Sequence, residues 1–293
     1  MKAKYYDLDD LKCDINYRWI QPPQAAYFVT TEDSLGNENV TPVTLGTCVG
    51  ANLPREGRPS EYYFTFSLGC FDIKDEGNKY DKRHGYLNLE EVPECVISYI
   101  GKDLIEQSTF TGLPVPRGIS EIHTSGLTPL PSKKVSPPGI AECPVNMEAK
   151  VIFKHKLGTY YMHYICKIEA VHVHEDYIKR DHDLNNGVGV LAIDPLFEVS
   201  IRRGNTDNLR LYYGQIDRER IQRTSDDVGC LGDWIGDFDK WMDDEVSRGR
   251  ITRAAAEKAL SLNNEWQKNR DPNKNGKIKE ELTKIITRIV LGR

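Results

Sequence analysis

The sequence predicts a mainly β fold, a barrel or sandwich, followed by an α-helical C-terminal extension. Short β-branched and aromatic runs at 25–31, 41–49, 61–67 and 94–100 alternate with turns and are not separated by long helices, which is the spacing of barrels and sandwiches. Residues 113–144 contain seven prolines. Because proline fixes φ and removes a backbone donor, that stretch cannot be regular sheet. Beyond residue 228 the apolar period changes to helical, with Trp234, Ile235, Phe238, Trp241, Met242 and Val246 on one stripe.

In chain order, the first 20 residues lead in, with Tyr17, Trp19 and Ile20 as anchors. Ala25–Thr31 reads as a strand, and Asp33-Ser34-Leu35-Gly36-Asn37-Glu38 is turn chemistry. Residues 54–60 and 69–82 are polar and glycine-containing, hence surface loops. Within the proline-rich stretch a short helix near 118–125 lies between extended connections. Strands resume at 145–153 and 160–174, with a turn at Lys156-Leu157-Gly158, and 191–214 closes the β region. We therefore divide the chain into a β domain over 1–228 and a helical extension over 229–293. In the extension, Thr252 is a candidate N-cap for the helix through Ala254–Leu260. A sharper stripe follows at Ile278, Leu282, Ile285, Ile286, Ile289 and Val290. Three helices in about 60 residues are marginal alone, so they should pack on the barrel or on a partner subunit.

Composition narrows the function classes. A net charge of −5 lacks the basic field that broad nucleic-acid binding needs. No apolar run approaches the roughly 20 residues of a bilayer span, and the N-terminus lacks a signal-peptide core, so the expected compartment is the cytoplasm with no membrane partner. Cysteines 13, 48, 70, 95, 143, 166 and 230 are odd in number and scattered, without a C-x-x-C pair. That argues against a disulfide framework or a thiolate zinc site.

Several patterns invite a site. Asn39, Thr41, Thr44 and Thr47 lie close together beside Gly46 and Gly50. They can offer hydroxyls and backbone N–H groups to a phosphate or a flavin edge, or they can simply be strand formers in a hairpin. Asp271, Asn273, Asn275 and Gly276 occupy EF-hand positions, but the closing carboxylate is replaced by Leu282, and a turn opening the last helix explains the same residues. His172 and His174 share a strand face, yet nothing at ligand spacing completes a metal site. We therefore expect no metal. No Gly-x-Gly-x-x-Gly, G-x-S-x-G or Walker sequence occurs.

The order of pieces adds a resemblance. Gly36, Asn39 and Thr41-Pro42-Val43-Thr44 resemble the "G-x-x-N" and "Ala/Thr-Pro-x-Ser/Thr" opening of the flavin-reductase-like family. Tyr86-Leu87-Asn88-Leu89 followed by Glu94–Tyr99 is similar to that family's asparagine, short helix and strand. Ser120-Glu121, Gly126-Leu127-Thr128, the run Ser136–Val145 and Val171–Asp176 continue the likeness over about residues 20–215.

The resemblance implies an FMN-binding split β-barrel, related to flavin reductases and flavoredoxins and commonly homodimeric, with FMN near the subunit interface. Asn39, Thr41, Pro42, Thr44 and Thr47 would hold FMN, with Thr41 and Thr44 on the phosphate or ribityl chain and backbone amides near Thr47 beside the isoalloxazine. Asn88 and Lys82 would complete the phosphate end, and Cys48 is a redox candidate beside the flavin. The flavin carries the chemistry, so no protein side chain is expected to be catalytic. One departure stands out. Gly158-Thr159-Tyr160-Tyr161 occupies the place of the relatives' Gly-Ser/Thr-His, and the nearest histidine is His163. Tyrosine is a poor cation, which bears on direct NAD(P)H oxidation. The implied function is an FMN-dependent oxidoreductase, an NAD(P)H-dependent flavin reductase using NADH or NADPH as transient donor. The alternatives are a flavoredoxin-like electron carrier reduced by a redox protein partner, or a binding barrel that has lost its flavin.

Overall fold

The computed structural model describes residues 24–52, 61–70, 83–158, 161–180, 189–191, 197–203, 206–212 and 238–292. The N-terminal lead-in, the loop 54–60, residues 71–82 (Lys82 among them), Thr159, Tyr160, Tyr213-Gly214, Trp234 and Ile235 lie outside those residues.

The strands are β1 (Gln24–Ala25), β2 (Tyr27–Glu32), β3 (Glu38–Val43), β4 (Gly46–Asn52), β5 (Glu61–Gly69), β6 (Glu94–Tyr99), β7 (Pro129–Leu130) and β8 (Gly139–Ile140). They continue as β9 (Val145–Leu157), β10 (Tyr161–Val173), β11 (Ile178–Arg180), β12 (Gly189–Leu191), β13 (Phe197–Arg203) and β14 (Thr206–Tyr212). The helices are α1 (His84–Glu91), α2 (Ile105–Phe110), α3 (Glu121–Thr124), α4 (Phe238–Ser247), α5 (Arg253–Lys268) and α6 (Pro272–Leu291).

Seven antiparallel strands form the main sheet in the order β3-β2-β6-β9-β10-β5-β4. The sequence predicted one strand over 41–49, but the structure breaks it at Thr44-Leu45. That break matters, because β3 and β4 are the two ends of the sheet order yet are joined by two residues. So short a link spans only about 7–11 Å when extended, so the sheet must curl until its edges lie side by side. Closing a sheet in this way removes exposed edges. Pro42 sits in β3, an end strand, where its missing N–H interrupts no interior ladder.

Alternation sorts the side chains. In β5, Phe64, Phe66 and Leu68 are buried while Tyr63, Thr65 and Ser67 are half-buried on the other face. The barrel interior gathers Val29, Val43, Phe64, Phe66, Leu68, Leu89, Cys95, Ile97, Met147, Tyr164 and Cys166. A second layer covers the outside of β2 and β3, where Phe28 and Val40 meet Ile100, Ile105, Ile122 and Ile140. β2 is thus buried on both faces, which explains its unbroken apolar and threonine run.

The β2–β3 turn forms where the sequence placed it. Asp33 Oδ1 accepts the N–H groups of Leu35 (3.0 Å) and Asn37 (2.9 Å), and Gly36 takes φ = 80°. The proline-rich connection contributes α3, capped by Ser120, and the two-residue ladder β7–β8. The cap of α5 is Thr252, whose Oγ1 accepts the Ala255 N–H at 3.2 Å. Asp271 caps α6 through the Asn273 N–H at 2.9 Å, with Pro272 in the first turn. That use accounts for the EF-hand-like letters.

The C-terminal helices pack on the strap that precedes α3. Phe238, Trp241, Met242, Ala259, Trp266, Leu282 and Ile286 form one cluster with Leu113, Val115 and Ile119. Trp266 is fully buried, and its Nε1–H donates to the Arg117 carbonyl at 2.9 Å. From α6, Lys279 Nζ donates to Asn37 Oδ1 at 2.8 Å, and Asn37 Nδ2 donates to the Arg270 carbonyl at 3.1 Å. The extension therefore grips both the β2–β3 turn and the strap. No described helix is long and apolar enough to cross a membrane.

Candidate functional site

Next to α1, Asn39 and Thr41 of the sequence-identified residues meet each other, Glu121 and Gly85. By alternation Asn39, Thr41 and Val43 share one face of β3, and Val43 points into the barrel core. Thr41 Oγ1 bonds Asn39 Oδ1 at 3.1 Å, and Asn39 Nδ2 bonds Glu121 Oε1 at 2.6 Å. Glu121 Oε2 also accepts the Val40 N–H at 3.1 Å. The first turn of α1 lies against this row so closely that a Cβ at Gly85 would stand 2.7 Å from Thr41 Oγ1.

Helix α1 starts without a side-chain cap and without an acidic residue in its first turn. Its leading N–H groups and dipole favour an anion. Cationic groups reinforce this. Burial lowers the Arg83 pKa, although the Tyr161 phenol opposes it. Burial, together with the charges of Arg117, Arg83 and Arg270, pushes His84 down to about 3, so the imidazole is neutral at ordinary pH. Near the helix end, Arg117 Nη2 donates to Asn88 Oδ1 (3.1 Å) and Glu91 Oε1 (2.7 Å). Burial would raise Glu91, but the Ser34 N–H and hydroxyl and the Arg117 guanidinium hold it at about 2.

Asn88 is buried and spends its amide on Arg117 and, at 3.4 Å, on Thr31 Oγ1. It braces α1 on β2. Pro42 is half-buried opposite Phe28. Thr44 is half-buried at the turn from β3 to β4. Thr47 and Cys48 are both exposed on β4, but the pleat sends them to opposite faces. Thr47 pairs with Thr65 on the face away from the core, whereas Cys48 pairs with Phe64. Cys48 shares a hydrogen bond with the Tyr99 hydroxyl, and burial, then Cys48 and Tyr27, push that phenol up. Two neighbours in sequence thus serve different surfaces.

The structure adds residues that the pattern of threonines did not reveal. His163 is held through Nε2 by Thr65 Oγ1 (2.6 Å) and through Nδ1 by Ser67 Oγ (2.9 Å), on the same face as Thr47. The period of two in EYYFTFSLG already separates Thr65 and Ser67 from the core, but only the β5–β10 register brings His163 to them. In sequence Glu121 stands only within the Ser120-Glu121 pair of the family resemblance, and Gly85 has no distinguishing pattern. Their roles depend on β3 crossing α1 and α3. His172 of β10 and His174 just beyond its end go to separate partners, His172 to Glu148 Oε1 (2.5 Å) and His174 to the Ala141 carbonyl (2.9 Å).

Comparisons with known proteins agree with this architecture. An uncharacterised protein of Halalkalibacterium halodurans is 30% identical over 146 residues, 49% of this chain and 63% of the relative. The uncharacterised Bacillus subtilis protein YdfE is 30% identical over 168 residues, 52% of this chain and 70% of its own length. This chain thus spans a little under two thirds of the first relative's length. Among solved structures, nitrilotriacetate monooxygenase component B from Bacillus cereus superposes with a TM-score of 0.55 at 18% identity, over 74% of this chain and all of that one. A Shewanella frigidimarina split-barrel protein assigned as a flavin reductase gives a TM-score of 0.51 at 16% identity, over 73% and 96%. At such identities the likeness is one of fold, a split β-barrel. The model of the "flavin reductase like domain" matches residues 22–187, more than half of the sequence. With the motif order and the curled seven-stranded sheet, this makes the chain a member of the flavin-reductase-like family.

Proposed function

We propose that the protein is an FMN-dependent oxidoreductase that accepts electrons from NADH or NADPH. The observation that carries this reading is the first turn of α1, uncapped and free of acidic residues, with Arg83 at its start and the Thr41 hydroxyl against Gly85. Such a turn suits a phosphate monoester, because backbone N–H groups and the helix dipole converge on one point. Thr41, Arg83 and the α1 amides would hold the phosphate, with Thr44 towards the ribityl chain. The backbone of β4 at Thr47 would flank the ring. Bound FMN supplies the acceptance and onward delivery of electrons. The work of the chain is to bind, orient and shield. Asn88 and Arg117 keep α1 seated, and Leu68 and Phe66 wall the barrel side against water.

A specific observation favours the second reading, a carrier fed by another protein. Both ring nitrogens of His163 are engaged by Thr65 and Ser67, which leaves the imidazole no N–H for a nicotinamide. One anaerobic experiment separates the two. The FMN-loaded protein is mixed with NADH or NADPH and the flavin absorbance followed. Rapid bleaching is the expected result. Retained FMN without bleaching would transfer the function to the carrier, and failure to retain FMN would remove both.

The homodimer belongs to the same proposal. Ile152 and Phe153, more than half exposed, project from the β9–β10 hairpin with Leu157 and Tyr161. An apolar run of this kind on a soluble surface is characteristic of an interface. Phe153→Glu should shift the protein from dimer to monomer in sedimentation velocity; an unchanged dimer would take the hairpin out of the interface.

A further inference from the structure

Arginines from three separate parts of the chain converge beside α1. His84, Asn88 and Glu91 stand at i, i+4 and i+7, so they line one face of that helix. Arg83 opens the helix. Arg117, from the strap, lies along the same face, where its Nη2 reaches Asn88 Oδ1 and Glu91 Oε1. Arg270 comes from the link between α5 and α6. Asn37 Nδ2 holds the Arg270 carbonyl at 3.1 Å, while Trp266 and Gln267, just before it in the chain, hold the Arg117 carbonyl. The two arginines are therefore fixed next to each other.

The acids nearby are already engaged. Glu91 accepts from Arg117 and from the N–H and hydroxyl of Ser34. Asp33 accepts the N–H groups of Leu35 and Asn37 and the Asn37 side-chain amide. Among the described residues, neither Arg83 nor Arg270 forms an ion pair. Arg117 Nε and Arg270 Nη1 are buried and meet no hydrogen-bond acceptor among those residues. A guanidinium carries only donors, and a buried donor of a charged group is costly to leave unpaired. Repulsion adds to this. Burial and then the Arg117 charge lower the Arg270 pKa, with Asp33 and Glu91 opposing. An oxyanion between the two groups would accept the idle N–H donors and offset the repulsion together.

We propose that Arg117 and Arg270 form a phosphate subsite beside α1, completed by the C-terminal extension. Phosphate suits it better than a carboxylate, because its additional oxygen and charge match two guanidinium forks with Arg83 close by. The flavin reductase like domain matches residues 22–187, so Arg270 reaches the subsite from outside that domain. The phosphate is that of FMN, in which case the inference rests on the proposed function, or that of a separate phosphate-bearing molecule.

The test is thermal unfolding of the full chain in millimolar inorganic phosphate against chloride of equal ionic strength. The proteins are the wild type, R270Q and K279Q. Lys279 is a cation of the same extension turned to Asn37, and it serves as the control. Phosphate should raise the Tm of the wild type and of K279Q by about 2–4 °C, and leave R270Q unmoved. Comparing each protein with itself removes any stability lost through the substitution. A wild type without the rise would overturn the proposal. So would an R270Q that keeps it, since the phosphate would then sit at Arg83 and α1 without Arg270.

Dissociation constants for FMN and riboflavin, from fluorescence quenching, identify the source. FMN bound about tenfold more weakly by R270Q, with riboflavin unchanged, assigns the subsite to the FMN phosphate. Unchanged FMN affinity in an R270Q that has lost its phosphate response assigns it to a second ligand. If no protein of the set takes up FMN while the phosphate response stands, the proposed function has failed and the subsite remains.

Discussion

Trp266→Ala is expected to lower the unfolding free energy by about 3–5 kcal/mol, the range for truncating a large aromatic in a close-packed core. Trp266 is fully buried at the centre of the cluster that joins α4, α5 and α6 to Leu113, Val115 and Ile119. It contributes a hydrogen bond as well as volume, because its Nε1–H satisfies the Arg117 carbonyl, a bond shared with Gln267 Nε2 at 3.1 Å. Its ring fills the space over Gly118, where a Cβ would lie 2.9 Å from Cζ2 and where φ is +86°. The cavity cannot collapse easily, since α5 is held on one side by α6 and on the other by the strap. Urea unfolding with the slope unchanged would measure the loss directly. A loss below about 1 kcal/mol would mean that the helices do not form one cooperative unit with the strap.

Gly85→Ala should weaken FMN binding by about 1–3 kcal/mol, the cost of displacing one hydrogen-bonding group from a buried polar site. Helix propensity alone predicts the opposite sign for stability, because alanine inside a helix is better than glycine by up to about 1 kcal/mol. The decisive term is local. The new methyl would stand 2.7 Å from Thr41 Oγ1 and 3.3 Å from Asn39 Oδ1, and it would push the hydroxyl off its position. A double-mutant cycle isolates the effect. In a Thr41→Ala background the hydroxyl is gone, so adding Gly85→Ala should cost little more. FMN affinities from fluorescence quenching for the four proteins decide it. Additive losses would mean that Gly85 acts on the cofactor by a route other than Thr41.

The β architecture was legible because burial imposes a period on individual strands. The alternation of Phe64, Phe66 and Leu68 with Tyr63, Thr65 and Ser67, and the Asp33–Gly36 turn, each act within a few residues. The helices were legible for the same reason, from the Trp241 and Ile286 stripes and from the Thr252 cap. Family membership was legible from the order of Asn39, Thr41-Pro42, Asn88 and Gly126-Leu127-Thr128.

The site was only partly legible. The threonines read as one cluster from 41 to 47, but a break at Thr44-Leu45 sends them to opposite edges of the sheet, and the pleat then parts Thr47 from Cys48. Asn88, which the resemblance places at the phosphate end, hydrogen-bonds Arg117 and Thr31, and no short stretch of sequence shows those partners. Glu121 and His163 entered only through the family resemblance, without the partners that give them their roles, and Gly85 carries no local signature.

Local sequence thus determined which residues form strands, turns, caps and helix faces, because those choices depend on periods of two and 3.6 and on short-range hydrogen bonds. Only the tertiary structure decided which polar groups meet. The contacts between Glu121 and Asn39, between His163 and Ser67, and between Lys279 and Asn37 join residues 82, 96 and 242 positions apart. Contacts across such distances are set by sheet closure and helix packing, which no short stretch of chain encodes.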